Sequence, residues 1–158
     1  IKRKQSWSPL MGIFDGQLKV TVELPELAYL SVHADAQAML SGRVSTEVEF
    51  DLSSGSTLAA KGIETEAIIV EVSSGSEIDI TGQCQRLNVK ASSGGQVDAY
   101  DLRCAEVRAS ASSGADVNVT ATQRLNAKAS SGGDVSVRGN PAWTDVAQTV
   151  GGAVRIES

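Results

Sequence analysis

Aromatic side chains are scarce. Two Trp, two Tyr and two Phe make up 4% of the 158 residues, while Val, Ala, Ile and Leu are plentiful. That composition suits a narrow interior filled by small and branched side chains, not a wide core built on aromatic anchors. Platforms for stacking sugar rings are equally short, Tyr100 being the clearest. Histidine occurs once, as His33, so a serine nucleophile would have a single candidate base in the whole chain. Lys and Arg number 14 against 19 Asp and Glu, a net charge of -5, which excludes general attraction to nucleic acid or to anionic membranes. No apolar run is long enough to span a bilayer, and no secretory signal pattern is visible. The Gly-x4-Gly-Lys-Ser/Thr phosphate loop is absent, and the glycine pairs lead into strands rather than helix N-termini. Hydrophobic residues at 41% still argue for one folded domain rather than disorder.

What is present is a tripeptide that returns about every twenty residues: Ser53-Ser54-Gly55, Ser73-Ser74-Gly75, Ser92-Ser93-Gly94, Ser112-Ser113-Gly114 and Ser130-Ser131-Gly132. Gly151 continues the interval and Asp35 precedes it; both residue types tolerate turn conformations. After each glycine, apolar and polar residues alternate, as in Glu77-Ile78-Asp79-Ile80-Thr81, the period of a half-buried strand. Aligned repeats give two inward columns, Leu58/Ile78/Val97/Val117/Val135/Val154 and Ala60/Ile80/Ala99/Val119/Val137/Ile156. A second strand, before the turn, supplies Val48/Ile68/Leu87/Val107/Leu125, Phe50/Val70/Val89/Ala109/Ala127 and Leu52/Val72/Ala91/Ala111/Ala129.

Two strands per repeat, one Ser-Ser-Gly corner and a looser corner near Gly62, Gly82, Asp101 and Gly139 predict a parallel β-helix, or β-solenoid. It is all-β, with about seven coils of roughly 18–20 residues stacked at strand spacing, and right-handed winding is the favoured sense for parallel crossovers. A β-sandwich is the alternative, but hairpin strands have no reason to keep a twenty-residue identity of columns. Residues 17–158 form the solenoid. Residues 1–16 fit no repeat and are read as an N-terminal cap or the remnant of a longer N-terminal region. At the other end Asn140-Pro141-Ala142-Trp143 interrupts the last repeat, which predicts Trp143 folded over the core as a cap against edge pairing.

Outward residues after the glycine corner form an acidic strip, Glu77/Gln96/Asp116/Asp134 and Asp79/Asp98/Asn118/Ser136. Outward residues on the other strand align as Lys90/Arg108/Lys128 beside Asn88/Glu106/Asn126. Like charges stacked at coil spacing repel by roughly 0.9 kcal/mol even in water, a recurrent cost that bound cations or a polar ligand would offset. Glu77, Asp79, Asp98, Asp116 and Asp134 are therefore the candidate ligand-binding residues. No catalytic residue, cofactor or metal site is assigned: the Ser-Ser-Gly-Gly-Asp-Val corner has a period near twenty, not the nine of a calcium roll. Corner serines satisfy turn groups and bond one another up the stack, and His33 is an exposed corner residue. Cys84 and Cys104 are the only cysteines, one repeat apart, aligned with Thr65 below and Thr122 above. Neighbouring coils bring Cα atoms into disulfide range, yet side chains stacked in register also point alike, so a bridge and a reduced pair both stay open.

From about Leu18 onward the chain resembles the bacterial family known as the putative auto-transporter adhesin, head GIN domain. The stretch Val20-Thr21-Val22-Glu23-Leu24-Pro25-Glu26-Leu27 is similar to that family's strand ending in a Pro-x-Leu turn. Successive Ser-Gly corners follow, and Gly132 to Pro141 with Gly151 to Ile156 resembles its closing segment. The resemblance implies a β-helical, extracytoplasmic protein in the periplasm, on the outer membrane or at the cell surface, and implies no catalytic residue. Two functions fit. One is a non-catalytic adhesin-like or scaffolding module presenting a ribbed face to a glycan, a cell-envelope polymer or a surface protein. The other is a polysaccharide-acting β-helix enzyme, a lyase or hydrolase, with Asp79 and Asp98 as its carboxylates.

Overall fold

A computed structural model describes residues 26–41 and 44–157. The N-terminal segment read as a cap, and the Val20 to Pro25 part of the Pro-x-Leu strand, lie outside those residues. Ten strands follow one another: β1 (Leu27–Val32), β2 (Gln37–Ser41), β3 (Val44–Leu52), β4 (Thr57–Val72), β5 (Glu77–Ala91), β6 (Gln96–Ser112), β7 (Asp116–Ser130), β8 (Asp134–Arg138), β9 (Trp143–Gln148) and β10 (Ala153–Glu157). All pairings between them are parallel. The main order runs β1-β3-β4-β5-β6-β7-β8-β10, with β2 on β4 and β9 on β7. Each of β4 to β7 covers most of a coil, from one Ser-Ser-Gly corner to the next. The architecture is a β-solenoid of about seven turns.

The corners explain why the tripeptide recurs. At Ser73–Ser76 the amide of Ser76 donates to the carbonyl of Ser73 at 3.2 Å. The two central residues have positive φ, 56° at Ser74 and 72° at Gly75, the pairing of a type I′ turn. The same left-handed pair recurs at Ser54, Ser93, Ser113 and Ser131 with their glycines, and at Ala34-Asp35 in the first corner. Corners are also tied from coil to coil through the backbone: Gly55, Gly75 and Gly94 donate to the carbonyls of Ser74, Ser93 and Ser113, each at 3.1 Å. The serine-to-serine side-chain bond falls one position later than the tripeptide. Fully buried Ser56 donates its hydroxyl to the carbonyl of Val32 at 2.7 Å, which leaves its Oγ to accept from the Ser76 hydroxyl at 3.3 Å.

The inward columns stack as the alternation predicts. Leu58, Ile78, Val97, Val117, Val135 and Val154 are register partners in succession, and so are Val48, Ile68, Leu87, Val107 and Leu125. Phe50, Leu52, Leu58, Ile78 and Ile80 are wholly buried. The column beside the corners narrows along the stack, from Leu52 and Val72 to Ala91, Ala111 and Ala129.

Two expectations fail at the C-terminal end. Trp143 does not fold over the core: it opens β9, which continues the stack on β7 with Trp143 beside Arg124, and it remains 49% exposed. The segment Asn140 to Ala142 is thus a corner, not a lid. Ile156 keeps its column position opposite Val137 but is 46% exposed, because among the described residues no further coil lies on β10.

The second corner is where coils of unequal length are reconciled. Register shifts occur between Ala60 and Ile63, Asp79 and Gly82, and Ala99 and Arg103. Gly82 has φ 134°, and a Cβ there would overlap the backbone of Ile63, so this position demands glycine on two counts. The shifts displace the cysteine column: Thr65 pairs with Cys84 and Cys84 with Cys104, but Cys104 pairs with Ala121, not Thr122. Thr122 instead reaches back, its hydroxyl donating to the carbonyl of Cys104 at 3.2 Å.

Candidate functional site

The acidic strip forms on the strand segments that follow the Ser-Ser-Gly corners. Glu77, Gln96, Asp116 and Asp134 stack in one outward column, and Asp79, Asp98, Asn118 and Ser136 in the next. Alternation aims them all away from the core columns they flank. The five candidates therefore share one face. They do not converge: among the described residues no three His, Cys, Asp or Glu side chains are close enough together to hold a metal ion. Basic residues compensate the strip at both ends, with Lys61 Nζ 3.9 Å from Asp79 and Arg155 Nη1 3.8 Å from Asp134. Asp98 accepts from the amide of Tyr100 at 3.2 Å. Glu77 and Asp116 form no ion pair among the described residues, and with Asp98 between them they present three carboxylates on successive coils.

Tyr100, the aromatic singled out from sequence as the clearest platform, is half-buried and already engaged, while Tyr29 and Trp143 are the exposed aromatics among the described residues. The guanidinium of Arg138 lies 3.8 Å from its ring centroid, and Arg138 Nε is 3.7 Å from Glu157. Thr120 stands between them in the stack and donates to the Tyr100 carbonyl at 2.7 Å. Cation and ring thus form a rib at the edge of the acidic face.

The opposite face, made by the strand segments before the corners, differs from its sequence alignment. Lys90 pairs in register with Ser110, and Ser110 with Lys128, while Arg108 stands between Asn88 and Asn126. Lys90, Arg108 and Lys128 are therefore not one column, and Glu106 stacks between Arg86 and Arg124 rather than beside Asn88. The like-charge ladder expected there is broken by Ser110. The inward columns Leu87/Val107 and Val89/Ala109 place Arg108 between them, so counting back from the buried residues gives the correct partners. Lys90 Nζ donates to Glu71 Oε1 at 2.8 Å. That hydrogen bond, then the charge of Glu71 and more weakly of Glu49, holds the ammonium above its ordinary pKa.

At the second corner a shallow polar groove crosses several coils, lined by Glu64, Gln83, Gln85, Arg103 and Gln123, with Cys84 and Cys104 beneath it. Sequence reasoning missed it because the columns lose their register there; the signal was the run of long polar side chains around the cysteines. The cysteines are buried and joined as a disulfide, with a Cα–Cα distance of 4.6 Å.

His33 is exposed at the first corner, as expected. Its Nε2 meets the Ser31 hydroxyl and its Nδ1 the Ser53 hydroxyl. A serine triad uses one imidazole nitrogen on the nucleophile and the other on a carboxylate that orients the ring; here a second serine occupies that orienting position.

A stack of parallel coils with exposed, ribbed faces defines a β-solenoid repeat protein. The chain belongs to the family described as "Putative auto-transporter adhesin, head GIN domain", whose profile matches residues 1–141. A crystal structure described as "a putative adhesin" from Bacteroides fragilis NCTC 9343 shares the fold with a TM-score of 0.67 at 16% sequence identity. The alignment covers 80% of this chain and 56% of that one, so this chain spans little more than half of the solved relative. No curated protein matches the sequence. The family match begins at residue 1, ahead of the Leu18 start read from motifs, and stops short of the Gly151 to Ile156 segment.

Proposed function

We propose that this chain is a non-catalytic, extracytoplasmic adhesin-like module that presents the face bearing Glu77, Asp79, Asp98, Asp116 and Asp134 to a glycan, a cell-envelope polymer or a surface protein. The observation that supports it most is the register itself. Five carboxylates lie on four successive coils of one rigid face, within a family named for adhesins. A repeating face offers many equivalent weak contacts, and rigidity lets them act together. The extracytoplasmic assignment draws support from the Cys84–Cys104 bond, since structural disulfides persist in oxidising compartments.

The test compares the parent with the double variant Asp79→Asn, Asp98→Asn on a glycan and cell-envelope polymer array. Retention of the parent, weakened in the variant at unchanged thermal stability, supports the reading. Release of reducing or unsaturated ends from any polysaccharide by the parent, lost in the variant, would replace it with a polysaccharide-acting enzyme.

A further inference from the structure

The face that precedes the corners has its charge divided along the solenoid axis. Its outward positions lie on β3, on the later halves of β4, β5, β6 and β7, and on β9. On the coils nearer the N-terminus they hold Glu47, Glu49, Asp51 and Glu71, four acids and no base. On the later coils they hold Arg86, Lys90, Arg108, Arg124 and Lys128, five bases, against two acids, Glu106 and Asp145. Half-buried Ile69 lies near the boundary, where Lys90 and Glu71 form the one ion pair on this face among the described residues. Glu49 and Arg108 are left without an ion-pair partner among those residues.

We infer that this face is a self-association surface on which a second copy docks about a two-fold axis. A two-fold lying in the plane of the interface, parallel to the strands and between the later halves of β4 and β5, turns the solenoid axis of one copy antiparallel to that of the other and lays the acidic half of each on the basic half of its partner. It sets Glu49 opposite Arg108 and Glu71 opposite Lys90, with Glu47 opposite Glu106 where Arg86 and Arg124 flank the second acid, and symmetry makes each contact occur twice. No other partner is required, because the face is complementary to itself. Six overlapping coils at about 4.8 Å and six residues at about 3.3 Å make a patch of roughly 600 Å² per copy. Stable interfaces bury about 800 Å² per partner, so the association is weak, reversible and sensitive to salt.

Sedimentation velocity of the whole chain tests this at low ionic strength. The parent forms a dimer that returns to monomer when salt is raised. Glu49→Arg and Arg108→Glu each place like charges across the axis twice and lower the association constant on the order of tenfold or more. The double variant Glu49→Arg, Arg108→Glu in one chain restores both pairs and recovers the dimer, and an equimolar mixture of the two single variants dimerises across species. All these positions are outward, and melting curves within a few degrees of the parent verify the fold. A parent that stays monomeric at low salt overturns the inference. So does association that survives Glu49→Arg, which would mean that the basic half docks elsewhere, or a double variant that fails to recover.

Discussion

Cys84 and Cys104 hold the same position on successive coils, with their Cα atoms 4.6 Å apart and their sulfurs bonded. The bond closes a short loop, a separation of 20 residues, and links two coils whose backbones are already paired. Chain-entropy reasoning gives about 3 kcal/mol for such a loop. Replacing both cysteines by Ser lowers the denaturant midpoint accordingly while leaving the β-type circular dichroism spectrum intact. Intact mass after alkylation without reductant checks the bond: the parent takes up no label, and two labelled thiols in freshly prepared protein would show that the coils are not stapled.

Ile80 is wholly buried and stacks in register on Ala60. An Ile80→Asp substitution puts a carboxylate between coils that cannot separate locally, with no partner for its charge. A loss of several kcal/mol is expected. Urea denaturation measures it, and a variant that melts within a few degrees of the parent contradicts the register.

Gly82 and Gly75 both have positive φ but differ in what surrounds them. A Cβ at Gly75 meets nothing within 4 Å, whereas one at Gly82 overlaps the Ile63 backbone. Gly75→Ala adds backbone strain alone, about 1–2 kcal/mol. Gly82→Ala adds overpacking of about 1–3 kcal/mol on top of strain. The difference between the two denaturation free energies isolates the close approach of the coils, and equal losses would remove it.

The Lys90–Glu71 bond raises the lysine pKa in the folded protein. A raised cationic pKa means that the folded state holds the proton more tightly. The contribution is present below the unfolded value near 10.4 and disappears as pH climbs through the folded value. Both groups are more than one-third exposed, so solvent screens the pair and its effect is small. Lys90→Met is expected to leave the melting temperature nearly unchanged at pH 7 and to flatten the alkaline decline slightly. A large loss at neutral pH would show that Lys90 does more than pair with Glu71.

The columns from Leu58 to Val154 and from Val48 to Leu125 are legible in the sequence because two short-range rules govern them. Alternation selects the face of each side chain, and the Ser-Ser-Gly turn resets the count at every coil. The five carboxylates of the candidate face follow from the same rules. Where neither rule acts, residue order is silent. At the second corner Ala121 displaces Thr122 above Cys104, because a coil two residues shorter must close around the same core. On the opposite face alternation does act, and the inward columns of Val107 and Ala109 seat Arg108 between Asn88 and Asn126, partners that aligning the charged residues directly mismatches. Ile156 carries an apolar side chain in an inward column yet lies exposed, since burial in a stack requires a coil on both sides, whereas Trp143 is exposed because its register partner Arg124 puts it in an outward column. Turn chemistry and periodicity are properties of a few adjacent residues and can be read from their order; coil closure, charge separation along the axis and burial at an end arise only when the coils are stacked.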